Sequence, residues 1–284
     1  MDSALTSVGL PVALAVVMFG LGLSLTAADF ARVAREPRAV AVALATQLVL
    51  LPAACFGLVL AVDLDPVLAV GMMLLAASPG GTTANLFRGD VALNITLTAV
   101  NSVIASVTLP LIVNFALDHF EPATEGALGL EFGKVAQVFA LVLVPVVLGM
   151  LVRRWSAAFA DRADRPVRIV SVVVLVVVIA GTIISELENT AAYLAAVGLV
   201  SVLFCAFSLA AGYLLPRLAK VGRRQAVASA FEVGVHNSTL AITVAISVLG
   251  SERLAVPAAV YAVVMFPLAA AAGFLLTRNR APLD

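Results

Sequence analysis

Nine stretches of this chain run for membrane length with no charged residue or only one. Residues 3–28, 39–62, 66–87, 91–117, 135–152, 169–185, 189–216 and 254–277 contain no Asp, Glu, Lys or Arg, and 225–251 contains Glu232 alone. At a rise of about 1.5 Å per residue, runs of about this length cross a bilayer core of about 30 Å as helices. Barrel strands would alternate in short pieces of about ten residues, and these runs do not. With 62% hydrophobic and 12% charged residues, the chain is far more apolar than a soluble domain. The expected class is an all-α polytopic membrane protein with nine transmembrane helices. The first run is read as a span and not as a cleaved leader, because Asp2 stands where a basic start belongs and the run is long.

The charges speak through their positions. With the N-terminus outside, every one of the 17 lysines and arginines except Lys134 and Arg253 falls in a loop on the inner side. This sidedness predicts a cytoplasmic C-terminus and residence in the cell's inner (plasma) membrane. A formal net charge of zero gives no basis for binding nucleic acid. No soluble domain interrupts the spans, so the lipid bilayer is the expected partner and no obligate protein partner is evident. The longest connections are the acidic outer loop 118–133 and the basic inner loop 153–168. Cys55 and Cys205 lie inside apolar runs and read as reduced packing residues.

Glu232 is the one acidic residue placed within a span. Holding a carboxylate at bilayer depth costs at least about 2.5 to 3.5 kcal/mol, so such a group marks an ion or substrate path unless a partner explains it. No lysine or arginine lies at comparable depth, which leaves a cation, a proton or another contact. Its neighbours Val233-Gly234-Val235-His236-Asn237-Ser238-Thr239 are rich in glycine and polar groups. The third span carries a matching interruption, Ser78-Pro79-Gly80-Gly81-Thr82-Thr83-Ala84-Asn85. Pro79 removes a backbone donor and the two glycines weaken the helix, so both spans are expected to be broken.

The two broken spans lie five apart and therefore cross in opposite directions. That arrangement predicts inverted repeats, one over about 3–117 and the other over about 132–278, within a single membrane domain. An unwound helix offers carbonyl oxygens, and Glu232, Asn85, Asn94 and Thr98 offer side-chain oxygens, a donor set suited to sodium. His236 is open to three roles: hydrogen-bonding partner, neighbour of a cation, or proton carrier. Thr82, Thr83, Asn237 and Ser238 follow the breaks as neutral donors and suit a small organic anion.

Other classes fail on simple tests. Lys134 and Lys220 are each followed by valine, so there is no P-loop; no mid-membrane lysine could carry retinal; and no aspartate pair or His-Glu-x-x-His helix suggests a hydrolase. No enzyme activity is expected.

At these residues the chain resembles the bile acid:sodium symporter family. The likeness lies in Met18-Phe19-Gly20-Leu21-Gly22-Leu23, Gln47, Ser78 to Asn85, Gly89-Asp90-Val91-Ala92-Leu93 and Glu232 to Ser238. It implies a panel and a core domain built from inverted repeats, with this chain as a nine-helix version of a ten-helix plan. It also implies two sodium ions: one held by Ala84, Asn85, Asn94, Thr98 and Glu232, the other by Gln47, Glu232, His236 and the carbonyls of Val233 and Val235. Ala84 lacks the hydroxyl usual in the family, His236 stands where a glutamine is common, and the connection from Asn85 to Arg88-Gly89-Asp90 is short. The expected function is sodium-coupled uptake of a small organic anion, either a pantoate-like or pyruvate-like monocarboxylate or a bile acid. Proton-coupled (H+) anion transport and a non-transporting anion sensor are the alternatives.

Overall fold

The computed structural model describes residues 9–80, 89–122, 132–185 and 190–278, and within them the chain is helical. The helices are α1 (Leu10–Ser24), α2 (Ala27–Arg35), α3 (Pro37–Ala45), α4 (Leu51–Ala61), α5 (Pro66–Ala77), α6 (Val91–Phe120), α7 (Phe132–Trp155), α8 (Ala157–Ser185), α9 (Thr190–Leu218), α10 (Arg223–Gly234), α11 (Ser238–Thr243) and α12 (Glu252–Arg278). Among the described residues, five helices are long and apolar enough to cross a membrane, and a sixth span is added if α1 and α2 are counted together. The protein is an all-helical membrane protein.

Two boundaries differ from the sequence expectation. The first span does not run to residue 28: α1 stops at Ser24, and the chain bends by 67° into α2. Thr26 is the reason, because its backbone N–H and its hydroxyl both donate to Asp29 Oδ2 at 2.7 Å, a capping arrangement that starts a new helix. The stretch 153–168, expected as a loop, is almost entirely helical, with Ser156 alone between α7 and α8. Alanine and arginine favour helix there, and Arg153 reaches across the joint to donate to Leu23 O at 2.8 Å and to Asp161 at 3.2 Å.

Helix α6 shows how the solvent is inverted. Val103, Val107, Leu111 and Phe115 form an exposed apolar stripe at four-residue spacing, whereas Asn94, Thr98, Asn101, Ser102 and Ser106 are buried on the other side. A helix that turns its polar face inward and its apolar face outward is stable against lipid, not water. The hydroxyls back-bond along the helix, Ser102 to Thr98 O at 2.7 Å and Ser106 to Ser102 O at 2.9 Å, and so avoid stranded donors.

Helices α1, α7 and α8 pack on one another as one group. Gly22 and Gly149 make the α1–α7 approach close enough that a Cβ on Gly22 would overlap the Val146 carbonyl, and one on Gly149 would overlap the Phe19 carbonyl. Small residues at such a contact let dispersion hold helices together where lipid supplies no hydrophobic force. The other group is built from α5, α6, α9, α10 and α12. At its centre lie the short helices: every residue of α5 from Val67 to Ala77, and every residue from Ala226 to Thr243, is buried. Interrupted backbone is tolerated at membrane depth only where protein covers it.

Between α3 and α4 the backbone widens into a π-turn at Thr46–Leu50. Pro52, the second residue of α4, has no N–H for the carbonyl four residues back, which loosens the ladder there. A second π-turn, Val244–Val248, extends α11.

Candidate functional site

The two broken segments meet. Gly80 and His236 pair as an isolated antiparallel bridge, and the Asn237 N–H donates to Pro79 O at 2.9 Å. That N–H would have closed the next turn of α10 on Val233 O; Pro79 takes it instead, and the helix ends. Gly80 has to be glycine, since a Cβ would overlap the backbone carbonyl of Glu232 as well as its carboxyl group. The carboxylate is thus pressed directly against the break in the other segment.

Helices α6 and α10 bring Thr98 to Glu232 by matched register. The Asp90 N–H donates to Arg224 O at 3.1 Å, which ties the two helix starts together. Thr98 then lies as many residues beyond Asp90 as Glu232 lies beyond Arg224. Thr98 Oγ1 is 2.5 Å from Glu232 Oε2 and 3.0 Å from Asn94 O. Glu232 is 2% exposed; its other oxygen, Oε1, makes no hydrogen bond of ordinary distance and angle among the described residues, although the Gly80 N–H and the Asn101 amide stand beside the carboxylate. The described ion pairs, Arg32–Glu36, Arg153–Asp161 and Arg253–Asp65, all lie elsewhere.

Gln47 enters from the π-turn. Its Nε2 donates to Ser78 O at 3.0 Å, a carbonyl released because α5 has ended and Ser78 is extended. This bond fixes the amide orientation, since the flipped amide would set two oxygens against each other. Gln47 Oε1 is therefore the free end, buried and without a donor. His236 does not bond to Glu232: its Nδ1 is 3.2 Å from the Tyr261 hydroxyl, and its Nε2 is buried with no partner.

Of the residues expected from the sequence, Glu232, Thr98, Gln47 and His236 are brought to the crossing. Asn94 lies one turn before Thr98 on the same buried face. Val233 and Val235 flank the break. Asn237 Oδ1 caps α11 by accepting the Leu240 N–H at 3.0 Å, and Ser238 Oγ is buried without a partner. Thr82, Thr83, Ala84 and Asn85 lie outside the described residues.

Asn101 was missed by sequence reasoning. It sits one turn beyond Thr98, faces the same carboxylate, and has both amide atoms buried without a hydrogen bond. Its helical spacing from Asn94 and Thr98 was the available signal. Tyr261, on α12, contacts His236 and is a second residue that the sequence pattern does not single out.

Comparison with known proteins decides the kinship. The model of the sodium bile acid symporter family matches residues 11–193, more than half of the chain. The chain belongs to the sodium bile acid symporter family. Among similar proteins of this family is an uncharacterised sodium-dependent transporter, YocS, of Bacillus subtilis (strain 168), 29% identical over 254 residues, covering 88% of this chain and 77% of the relative. A probable chloroplast sodium/metabolite cotransporter of Oryza sativa subsp. japonica is 28% identical over 275 residues, covering 95% of this chain and 64% of the relative, so the chain spans less than two thirds of that protein. The human ileal sodium/bile acid cotransporter is 25% identical over 249 residues, covering 85% and 70%. The protein is a multi-pass, sodium-coupled solute symporter of this family and not an enzyme.

Proposed function

We propose that the crossing of α5 and α10–α11 binds sodium and that sodium binding creates the site for a small organic anion. One observation carries this reading. Two buried acceptors, Glu232 Oε1 and Gln47 Oε1, and the buried ring nitrogen Nε2 of His236 have no hydrogen-bond partner among the described residues, and each belongs to a residue in contact with the segment Ser78–Gly80. Orphaned buried acceptors cost free energy unless a cation or a proton fills them. Oxygen-rich surroundings without a thiolate suit an alkali cation.

In this reading one sodium ion sits among Ala84, Asn85, Asn94, Thr98 and Glu232. A second sits among Gln47, Glu232, His236 and the carbonyls of Val233 and Val235. The anion, a small monocarboxylate, lies beside Thr82, Thr83, Asn237 and Ser238, where Ser238 Oγ is an unused donor. The chain crosses the plasma membrane nine times with its C-terminus in the cytoplasm, as two inverted repeats. The group α5, α6, α9, α10 and α12 moves against α1, α7 and α8. Each tenfold sodium gradient supplies about 1.4 kcal/mol and one net charge crossing 100 mV supplies about 2.3 kcal/mol. Two sodium ions with a monoanion thus drive more than about a thousandfold accumulation.

One observation favours a second reading, with a proton in place of one sodium. The single hydroxyl hydrogen of Thr98 faces two acceptors, Glu232 Oε2 and Asn94 O. A protonated Glu232 would donate to Thr98 Oγ1 and release that hydrogen to Asn94 O, satisfying all three groups.

Proteoliposome uptake of a panel of radiolabelled organic acids tests both. An inward sodium gradient at equal pH is expected to drive accumulation. Uptake driven by a proton gradient without sodium would favour the second reading, and an absence of both driven uptake and exchange would eliminate transport.

A further inference from the structure

The Tyr261 hydroxyl, carried by α12, donates to Gly234 O at 2.8 Å. That carbonyl is free because α10 ends there, and the Ser238 N–H, its partner in a continuing helix, turns to His236 O at 3.0 Å. A phenol has one hydrogen, so the 3.2 Å contact between the Tyr261 oxygen and His236 Nδ1 must take its hydrogen from the ring. The neutral imidazole is therefore protonated on Nδ1, and its lone pair is on Nε2. The ring is also clamped: it stands edge-on to Tyr261 at 5.3 Å between centroids and tilted against Phe204 at 5.4 Å. Both Tyr261 and His236 are almost completely buried, so water cannot supply a competing partner.

We propose that Tyr261 is a positioning residue that locks His236 in the Nδ1–H tautomer and so presents a bare nitrogen to the cation held by Glu232 and Gln47. This rests on the sodium reading above and extends it to the affinity of the site. The consequence is a mixed nitrogen and oxygen site, which holds a hard alkali cation less tightly than an all-oxygen site would. Without the Tyr261 hydroxyl the Nδ1–H keeps only the Gly234 carbonyl beside it, so the lock is loosened and part of the population carries the hydrogen on Nε2, aimed at the cation.

The test is a double-mutant cycle on the half-saturating sodium concentration for radioactive sodium binding to purified protein, paired with ¹⁵N NMR of histidine-labelled protein. There are only two histidines, His119 and His236, and His119→Gln leaves one set of signals. Tyr261→Phe is expected to raise the half-saturating sodium about tenfold, the effect of one hydrogen bond. His236→Gln, which offers an amide oxygen, is expected to lower it. In the His236→Gln background, Tyr261→Phe should change nothing. The wild-type spectrum should show a protonated Nδ1 and a bare Nε2, with the balance shifted in Tyr261→Phe. Equal effects of Tyr261→Phe in both backgrounds, or a wild-type Nε2–H signal, would overturn the proposal. Wild-type protein that binds no sodium saturably would instead end the sodium reading, whatever tautomer the spectrum shows.

Discussion

Replacing Glu232 with glutamine separates the charge of this residue from its shape. Glutamine keeps the volume and an oxygen for the Thr98 hydroxyl, now 2.5 Å from Oε2, so the packing against Gly80 is preserved. The wild-type carboxylate is 2% exposed and has no cationic side chain in a described ion pair. An ionised group held this way costs about 2.5 to 3.5 kcal/mol until something compensates it. In sodium-free buffer the variant should therefore be at least as stable as wild type and up to that amount more stable. Sodium at a hundredfold excess over its dissociation constant should add about 2.7 kcal/mol to wild type, and little to the variant, which has lost the Glu232 carboxylate. The assay is thermal unfolding of detergent-purified protein, titrated with sodium chloride against choline chloride at constant ionic strength. A variant stabilised by sodium to the same extent and at the same midpoint would refute the assignment. A sodium-free variant much less stable than wild type would show that the carboxylate already has a structural counter-charge.

Thr98→Val removes a hydrogen bond to a charged group, worth about 1.5 to 3 kcal/mol, and should raise the sodium concentration for half-maximal uptake at least about tenfold; an unchanged value would detach Thr98 from the site. Gly80→Ala forces a methyl group onto the Glu232 carboxyl, an overpacking cost of about 1 to 3 kcal/mol, so thermal unfolding should occur at lower temperature and transport should be lost. Wild-type uptake by this variant would mean that the two breaks separate during the cycle. Asn101→Ala should weaken sodium activation at little cost in sodium-free stability, because neither amide atom makes a close hydrogen bond; a large drop in stability would make Asn101 a structural residue.

Much of this arrangement was readable in the sequence because lipid punishes error so heavily. A charge at depth or a Pro-Gly-Gly run in a span has few innocent explanations, so Glu232 and Pro79 point to the crossing from the sequence alone. The inward polar face of α6 was half visible: Asn94 and Thr98 were singled out, while Asn101, on the same face, was passed over. What stayed hidden depends on geometry between elements. Gln47 reaches Ser78 O from a π-turn that no residue pattern announces, although Pro52 hints at it. The bend after Ser24 and the helical stretch beyond Ser156 both fall at charged boundaries, where local capping and pairing by Thr26 and Arg153 outweigh the hydropathy pattern. The partner of His236 comes from α12, remote in sequence, and only the folded chain brings the two rings together.

Whether the Glu232 crossing is a sodium site is decided by saturable binding of radioactive sodium to the purified protein, at fixed pH and with potassium or choline as the competing cation. The expected result is binding that unlabelled sodium displaces and potassium does not, and that Glu232→Gln removes. Binding that survives intact in Glu232→Gln, or wild-type protein that takes up no sodium at all, would contradict it.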